Sequence, residues 1–592
     1  MPFILTKRGD TSMTEILITD MRCLRPREAL SEQPDVGHWF LCPYEAEHFK
    51  GHMITVPNEI NVPQVRLSLN ASGPHEIYIG VYHGHTPFVQ DAIAGYAGTR
   101  HFMRLRLSND PCFDTIESEY YSPIKEGLHP QKEFALNEIM EVHWRDADLT
   151  GQELIFANAS GEFASRTFAS VAYVRLVPLK GDAWRQHQLE RPRDDTKRLV
   201  ATFDGTFYGN YPADEQAIRA YFEPMRDSDF QLVVWTTSRL DTCYYLSKVG
   251  TPLQALPKGY INRRYLLTQD FQRWVRRGID PLSVAIEAAH DCNLQIYGSM
   301  RLQGIDMPPY HQLHGATTFM TQYPEFWTVA EDGRRLPHVS IAFPEVRQLI
   351  VRLFREQVEN YDLDGVHLLF NRSYPFVLFE EPVIHDFVAK FGEDPRHLDP
   401  MDQRLWDHRS SYVTMLMREL RAMLDEVGVK RRRQLAMAAH VMNSVRNCRY
   451  FGMDVGTWVR EGLVDHLIVH PCTSIEELGE KRVMPATIAE FARLREGTGC
   501  RIYADLYPRR LPPEKIRQRV IEYYDAGADG ISFWDTYARM WRKSEWSIIR
   551  IAGHREKLRD WSERASSFWR KVAIESIGGI SLDPRYGIQT HG

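Results

Sequence analysis

From Glu15 to about Leu179 the chain is a series of short apolar runs cut by turn residues, among them GHMITV, QVRLSL, HEIYIGVY, HFMRLRLS, QELIFAN and SVAYVRLVPL. Several alternate in twos, as in His75-Glu-Ile-Tyr-Ile-Gly-Val-Tyr82, which is the period of a strand buried on one face. Helix-period patterning is nearly absent. Many strands without intervening helices predict an all-β sandwich, jelly-roll-like, over residues 1–180. Residues 181–197 (GDAWRQHQLERPRDDTK) are charged and poor in apolar positions, and read as a linker.

After Arg198 short buried runs alternate with amphipathic helices. The pattern predicts strands at Leu199–Phe203, Gln231–Thr236, Leu294–Ser299, Gly365–Phe370, Gln434–His440, His466–Val469, Arg501–Asp505 and Gly530–Asp535. Helices are predicted between them, at Asp280–Asp291, Phe343–Asn360, Ser410–Val427 and Pro513–Ala526 among others. Eight such strands predict a (β/α)8 TIM barrel over residues 198–592, closing with a C-terminal helical tail. Two segments, Tyr361-Asp-Leu-Asp-Gly-Val-His-Leu and Ala526-Gly-Ala-Asp-Gly-Ile-Ser-Phe, repeat one device: helix end, Asp-Gly, buried strand. Glycine is expected there for the tight turn out of the helix.

A chain of 592 residues exceeds what one core supports, so two or three domains are expected. The formal charge of −6 supplies no basic face and argues against general nucleic-acid binding. The one basic run, Lys430 to Arg433, reads as a solvated turn complementing a helix dipole. No apolar stretch is long enough for a membrane span, and MPFILTKRGDTSMTEIL is too short and polar for a secretory core. A cytoplasmic protein is expected. Eight cysteines without a CxxC pair point to reduced, buried thiols rather than zinc or disulfides.

In a TIM barrel the chemistry lies at the C-terminal ends of the strands. Those ends carry Asp204, Trp235, Arg239, Arg301, Asn371, Arg372, Asn443, His470, Asp505, Tyr507, Trp534 and Asp535, with Glu380 and Glu381 on the loop after the fourth strand. Carboxylates, arginines and aromatics in this setting suit carbohydrate chemistry. Glycosidic cleavage needs one acid to protonate the leaving oxygen and a second carboxylate as base or nucleophile. Aromatic faces pack on sugar rings, while Arg, Asn and His bond hydroxyls or a uronate carboxylate. The candidate acids are Asp204, Glu380, Asp505 and Asp535.

One stretch carries a family resemblance. Phe343-Pro-Glu-Val-Arg347, Tyr361-Asp-Leu-Asp-Gly-Val-His-Leu-Leu-Phe-Asn-Arg372, Phe379-Glu-Glu-Pro382, Asp394-Pro395, Trp406-Asp-His-Arg409 and Val455-Gly-Thr-Trp-Val-Arg-Glu-Gly-Leu-Val-Asp465 together resemble the glycosyl-hydrolase-like, family-10-like TIM-barrel proteins. The resemblance covers about Arg334 to Asp465 and implies a barrel allied to glycoside hydrolases. One departure stands out. The family's fourth-strand pattern usually reads Asp-Gly-(Ile/Val)-x-Leu-Asp-(Phe/Trp)-x-Arg, and this chain has Leu369 where the second Asp would stand.

The leading expectation is a glycoside hydrolase with Glu380 as general acid and Asp505 or Asp204 as partner carboxylate. Arg301, His367, Arg372 and Asn443 would position the sugar, and Trp235, Tyr507 and Trp534 would stack on it. Carboxylate separation would decide retention, at about 5–5.5 Å, or inversion, at about 6.5–9.5 Å. Leu369 motivates a second reading, a non-catalytic carbohydrate-binding barrel, and a polysaccharide lyase is a third. His83-Gly-His85, and Tyr310, His311 and His314, read first as loop residues. Walker, Gly-x-Gly-x-x-Gly and Gly-x-Ser-x-Gly motifs are absent, so no cofactor or metal is expected. The partner expected is a carbohydrate, with no nucleic acid or membrane. The sandwich is expected to bind sugar, wall the cleft or mediate homo-oligomerisation.

Overall fold

The structure, a computed structural model, describes residues 15–58, 60–83, 90–91, 96–97, 102–117, 138–159, 167–182, 184–185, 192–204, 215–253, 271–303, 318–372, 374–471, 482–507, 511–559 and 569–582. Alternating residues of the N-terminal half make two antiparallel sheets. The larger has the strand order Ile16–Ile18, Tyr173–Pro178, Pro74–His83, Glu138–Asp148, Trp569–Ile577, Trp39–Ala46, Phe49–Pro57 and Phe168–Val171. The smaller runs Asp114–Glu117, Phe102–Leu107, Glu153–Asn158, Val65–Ser68. Every second residue faces the other sheet: Ile77, Ile79, Val81, Met140 and Val142 share one core with Leu67, Leu105, Leu107, Leu154 and Phe156. That burial is what a two-residue period specifies.

The end of the chain departs from expectation. Instead of a helical tail, Trp569–Ile577 is a strand, paired antiparallel with Glu138–Val142 on one side and Tyr44–Ala46 on the other. Its sequence WRKVAIESI alternates rather than repeating every three to four residues, and Val572, Ile574 and Ile577 pack on the outer core of that sheet with Tyr44, Met53 and Tyr173. Arg570 on this strand donates to Glu141 at 2.6 and 3.1 Å, beside Arg175 at 2.8 and 2.6 Å. The Glu141 carboxylate is buried, which works to raise its pKa, but the two arginines outweigh that and hold it below the usual range. The sandwich is thus completed by residues from both ends of the sequence.

The barrel strands lie close to their predicted positions. They are β1 (Leu199–Phe203), β2 (Phe230–Arg239), β3 (Gln295–Arg301), β4 (Gly365–Leu369), β5 (Ala436–Val441), β6 (His466–Val469), β7 (Arg501–Leu506) and β8 (Gly530–Trp534). All neighbours are parallel, and β8 pairs with β1 to close the ring. Val200, Leu232, Val234, Tyr297, Ala438, Ile468 and Tyr503 fill the interior. A separate, larger core lies between the strands and the outer helices, of which Pro281–Asp291, Pro344–Asn360, Gln403–Arg431 and Pro513–Asp525 correspond to those predicted.

The aspartates of the two Asp-Gly segments, with Asp465 before His466, close the base of the barrel. Asp364, Asp465 and Asp529 each accept the backbone N–H opening the preceding strand, from Ile296 (2.9 Å), Met437 (2.7 Å) and Ile502 (2.9 Å). Gly365 and Gly530 are required by close approach rather than by a turn. A Cβ would meet the carbonyl oxygens of Ala436 at 2.4 Å and Arg198 at 2.0 Å. The basic run is engaged as well: Arg431 and Arg433 both reach Asp362, at 2.7 and 2.8 Å.

The sandwich is joined to the barrel through charge. Lys543 donates to both Asp114 oxygens at 2.7 Å, and Arg542 lies 3.7 Å from Glu117. Arg542 also donates to Glu545 at 2.5 and 2.9 Å. Arg539, 3.8 Å from Glu545, donates to the carbonyls of Trp534 (3.1 Å) and Leu506 (2.7 Å) at the ends of β8 and β7. Glu117, Arg539, Arg542 and Glu545 are all buried.

Candidate active site

Alternation along each strand decides which strand-end side chains enter the barrel. With Val200, Tyr297, Ala438, Ile468 and Tyr503 inside, the phase sends Asp204, Ser299, Arg301, His440, His470 and Asp505 inward as well. On β4 and β8 the same phase brings in His367, Leu369 and Trp534. These residues form one connected group at the C-terminal end.

Asp204 is held from two sides. Arg301 donates to its Oδ1 from Nε at 2.6 Å and from the neighbouring guanidinium nitrogen, and Arg372 Nε lies 3.6 Å from Oδ2. Burial works to raise the carboxyl's pKa, but Arg301, Arg372 and Arg239 prevail and keep it lowered, hence charged. Oδ2 is buried without a hydrogen-bond partner among the described residues. Arg372 lies across the Trp534 ring, 5.1 Å from its centroid, a cation–π contact.

Asp505 lies on β7, which flanks β8 on the side opposite β1. Its Oδ2 is hydrogen-bonded to His470 Nδ1, and His440 Nε2 lies 3.9 Å away. The His470 and His440 rings pack on Trp534 at 4.4 and 5.2 Å. Behind them His440 Nδ1 is bonded to His367 Nε2 at 2.7 Å, and His367 Nδ1 to Ser299 Oγ at 2.8 Å. Burial pushes His367 down to about 3 and His440 well below the usual imidazole range, so both rings are neutral at ordinary pH. Asp505 Oδ1 is buried and has no partner among the described residues.

Other expected residues are placed differently. Trp235 follows the inward-facing Val234, so it points outward and packs against Phe203, Phe222 and Tyr221 at 5.2, 5.1 and 6.1 Å. It presents no face to a sugar. Glu380 caps the helix Glu381–Phe391 and accepts the backbone N–H groups of Val329 (3.1 Å) and Leu378 (3.2 and 3.0 Å). Burial raises its pKa, but these bonds tie it to the hairpin Trp327–Val329 and Arg335–Val339, not to the other acids. His367 is fully buried and lies beneath the mouth. Trp534 is enclosed by Arg372 and two imidazoles, so it forms wall rather than an open stacking platform. Tyr507, just past β7, is half-buried with its ring 5.5 Å from that of His470.

Asn443 Oδ1 accepts from Asn447 at 2.8 Å beside the helix Val445–Tyr450. Asp535 has a left-handed backbone (φ 50°) and its charge faces Arg539. Tyr310, His311, His314 and His85 lie outside the described residues. His440, His470 and Ser299 were not among the expected site residues, although their inward phase was readable from Ala438, Ile468 and Tyr297. Asn371 stands among the strand-end residues but has no role in the expected site. It is buried at the end of β4, and neither amide atom has a hydrogen-bond partner among the described residues. A buried amide left unpaired is costly unless a ligand or water completes it.

Leu369 stands in register between Arg301 of β3 and His440 of β5. An apolar side chain therefore occupies the wall between the Asp204 and Asp505 halves. Among the described residues, one group has metal-ligand spacing, Glu76, His143 and Asp146 on the sandwich. Its atoms are already engaged, with Tyr78 donating to Glu76 at 3.2 Å and His143 bonded to Asp146 at 2.7 Å.

The Arg301–Asp204 pair gives a direct test. The folded-state carboxyl lies below its unfolded value, so the pairing stabilises the protein above the unfolded value and fades as pH falls through the folded one. Arg301→Met raises that carboxyl. Acid unfolding followed by circular dichroism then begins at a higher pH than in the wild type. An unmoved acid transition would show that the pairing contributes nothing.

Residues 254–477 match the family model described as Glycosyl hydrolase-like 10, the family that Arg334 to Asp465 resembles. No curated protein matches the chain. Among solved structures it is similar to α-L-fucosidase isoenzyme 2 from Paenibacillus thiaminolyticus, at 12% identity and TM-score 0.39, over 63% of this chain and 50% of that one. It is also similar to a GH36 α-galactosidase from Geobacillus stearothermophilus in complex with stachyose, at 10% identity and TM-score 0.33, over 87% and 64% of the two chains. A third is a GH20 exo-β-N-acetylglucosaminidase from Vibrio harveyi, at 11% identity and TM-score 0.37, over 69% and 60%. In each case the chain spans between half and two-thirds of the other protein's length.

Proposed function

We propose that the protein hydrolyses a glycosidic bond, with Asp505 as the acid–base carboxyl and Asp204 as the charged partner. One observation carries the reading. Two inward carboxylates, at the ends of the two strands that flank β8, each keep one buried oxygen without a hydrogen-bond partner among the described residues, while the other oxygen is hydrogen-bonded. Held oxygens fix orientation, and the unpartnered ones are left for substrate. Arg372, Asn371 and Tyr507 supply charge, amide and ring for sugar hydroxyls and faces. The match to a glycosyl-hydrolase-like family supports this class of chemistry.

The test is a panel of polysaccharides and aryl glycosides incubated with the full-length protein, assayed for new reducing ends and for ultraviolet-absorbing unsaturated ends. New saturated reducing ends are expected from at least one substrate, and Asp204→Asn lowers their release about 10²-fold or more. Unsaturated ends would make the protein a lyase. Saturable glycan binding without any product would make it a binding protein, the reading that Leu369 favours.

A further inference from the structure

Ser299, His367 and His440 form a line of buried polar groups that the proposed reaction does not itself use. The line runs across β3, β4 and β5 and ends 3.9 Å from Asp505 Oδ2. Its links are short, 2.8 Å from Ser299 to His367 and 2.7 Å between the rings. All three side chains are buried. We propose that these three act as positioning residues, switching their tautomers together so that Asp505 has a matched partner both with and without its proton. The proposal rests on the reading of Asp505 as the acid–base group.

The bond between the rings allows two arrangements. In one, His367 Nε2–H donates to His440 Nδ1, so His440 carries its proton on Nε2 and presents it to the Asp505 carboxylate. His367 Nδ1 then accepts from the Ser299 hydroxyl. In the other, His440 Nδ1–H donates to His367 Nε2, and His367 Nδ1–H donates to Ser299 Oγ. His440 Nε2 is then a bare acceptor facing a protonated Asp505. The two arrangements differ by one proton, gained at Asp505, and both rings stay neutral in each. Serine suits the far end because a hydroxyl both donates and accepts.

The surroundings favour neutral rings. Burial holds both below the usual imidazole range, and Arg372 adds positive charge toward His440 while Asp204 faces His367. Around Asp505 stand His470 from β6, His440 from β5, Arg539 from the helix Thr536–Met540 and Tyr523 from the helix Pro513–Asp525. A fixed donor at His440 would match only the charged carboxylate. A switchable one serves a group that must give up a proton and take it back.

The test uses full-length protein labelled with 15N-histidine, whose long-range proton–nitrogen spectra report which ring nitrogen carries hydrogen. The signals are assigned with His367→Gln and His440→Gln. Both rings are expected to be neutral, in the same tautomer as each other, and to switch together in the course of a pH titration. In Asp505→Asn, which has no carboxyl to titrate, the switch is absent. Rings in opposite tautomers, a charged ring near neutral pH, or a switch that persists in Asp505→Asn would each overturn the proposal. On a cleaved glycan, His367→Gln moves the acid limb of kcat/KM by about one pH unit with little change in KM; an unmoved limb counts against the relay. If no glycan is cleaved but the rings still switch with Asp505, the relay stands and the hydrolase reading falls.

Discussion

Asp505→Asn is expected to lower turnover by about two to four orders of magnitude while the protein stays folded. The substitution keeps the shape of the side chain and an oxygen for His470, but removes the carboxyl proposed to donate and recover a proton. Its surroundings are preformed, with His470 bonded to Oδ2 and Oδ1 left without a partner among the described residues. The loss therefore falls on kcat rather than on assembly of the site. The check is kcat and KM on whichever glycan the wild type cleaves, with far-ultraviolet circular dichroism as the folding control. A variant keeping more than about a tenth of wild-type kcat would remove Asp505 from the chemistry.

Glu545→Gln is expected to cost about 3–5 kcal/mol of stability, the range for removing one partner from a buried ion pair. Glu545 is fully buried and is the carboxylate that Arg542 grips, with Arg539 at 3.8 Å. Without the Glu545 charge, Arg542 is left facing Glu117 at 3.7 Å. The arginines cannot escape to water, because both are buried. Activity should fall too, since Arg539 holds the carbonyls of Trp534 and Leu506 at the rim of the site. Urea unfolding is the measurement: a lower midpoint with an unchanged slope. A midpoint equal to that of the wild type would mean the cluster is energetically idle.

The fold was legible because it is written in local periods. Leu199–Phe203 and His466–Val469 run at the predicted residues, and Pro344 opens the helix expected from Phe343. One failure comes from reading type without phase. Trp235 looked like a stacking residue by identity, yet its neighbour Val234 faces the barrel interior, which sends Trp235 outward. His440 and His470 were visible at strand ends, but their link to Asp505 joins three different strands and no local pattern encodes it. Glu380 illustrates another limit. A carboxylate occupied by backbone N–H groups of Val329 and Leu378 looks, in sequence, like any available acid. The closing strand was misread for a simpler reason: WRKVAIESI alternates, but it follows a barrel, where helix is the habit.

That closing strand also sets a timetable. Ribosomes deliver the N-terminal half first, at about 5–20 residues per second, so the wait for the last segment is roughly 20–80 s. Throughout that interval the edges of Glu138–Asp148 and Trp39–Ala46, which Trp569–Ile577 later joins, have no native neighbour between them. Exposed edges invite pairing with other chains. Synthesis of this protein therefore includes a period of vulnerability that ends only when Trp569–Ile577 arrives, and a product terminated before that strand would never leave it.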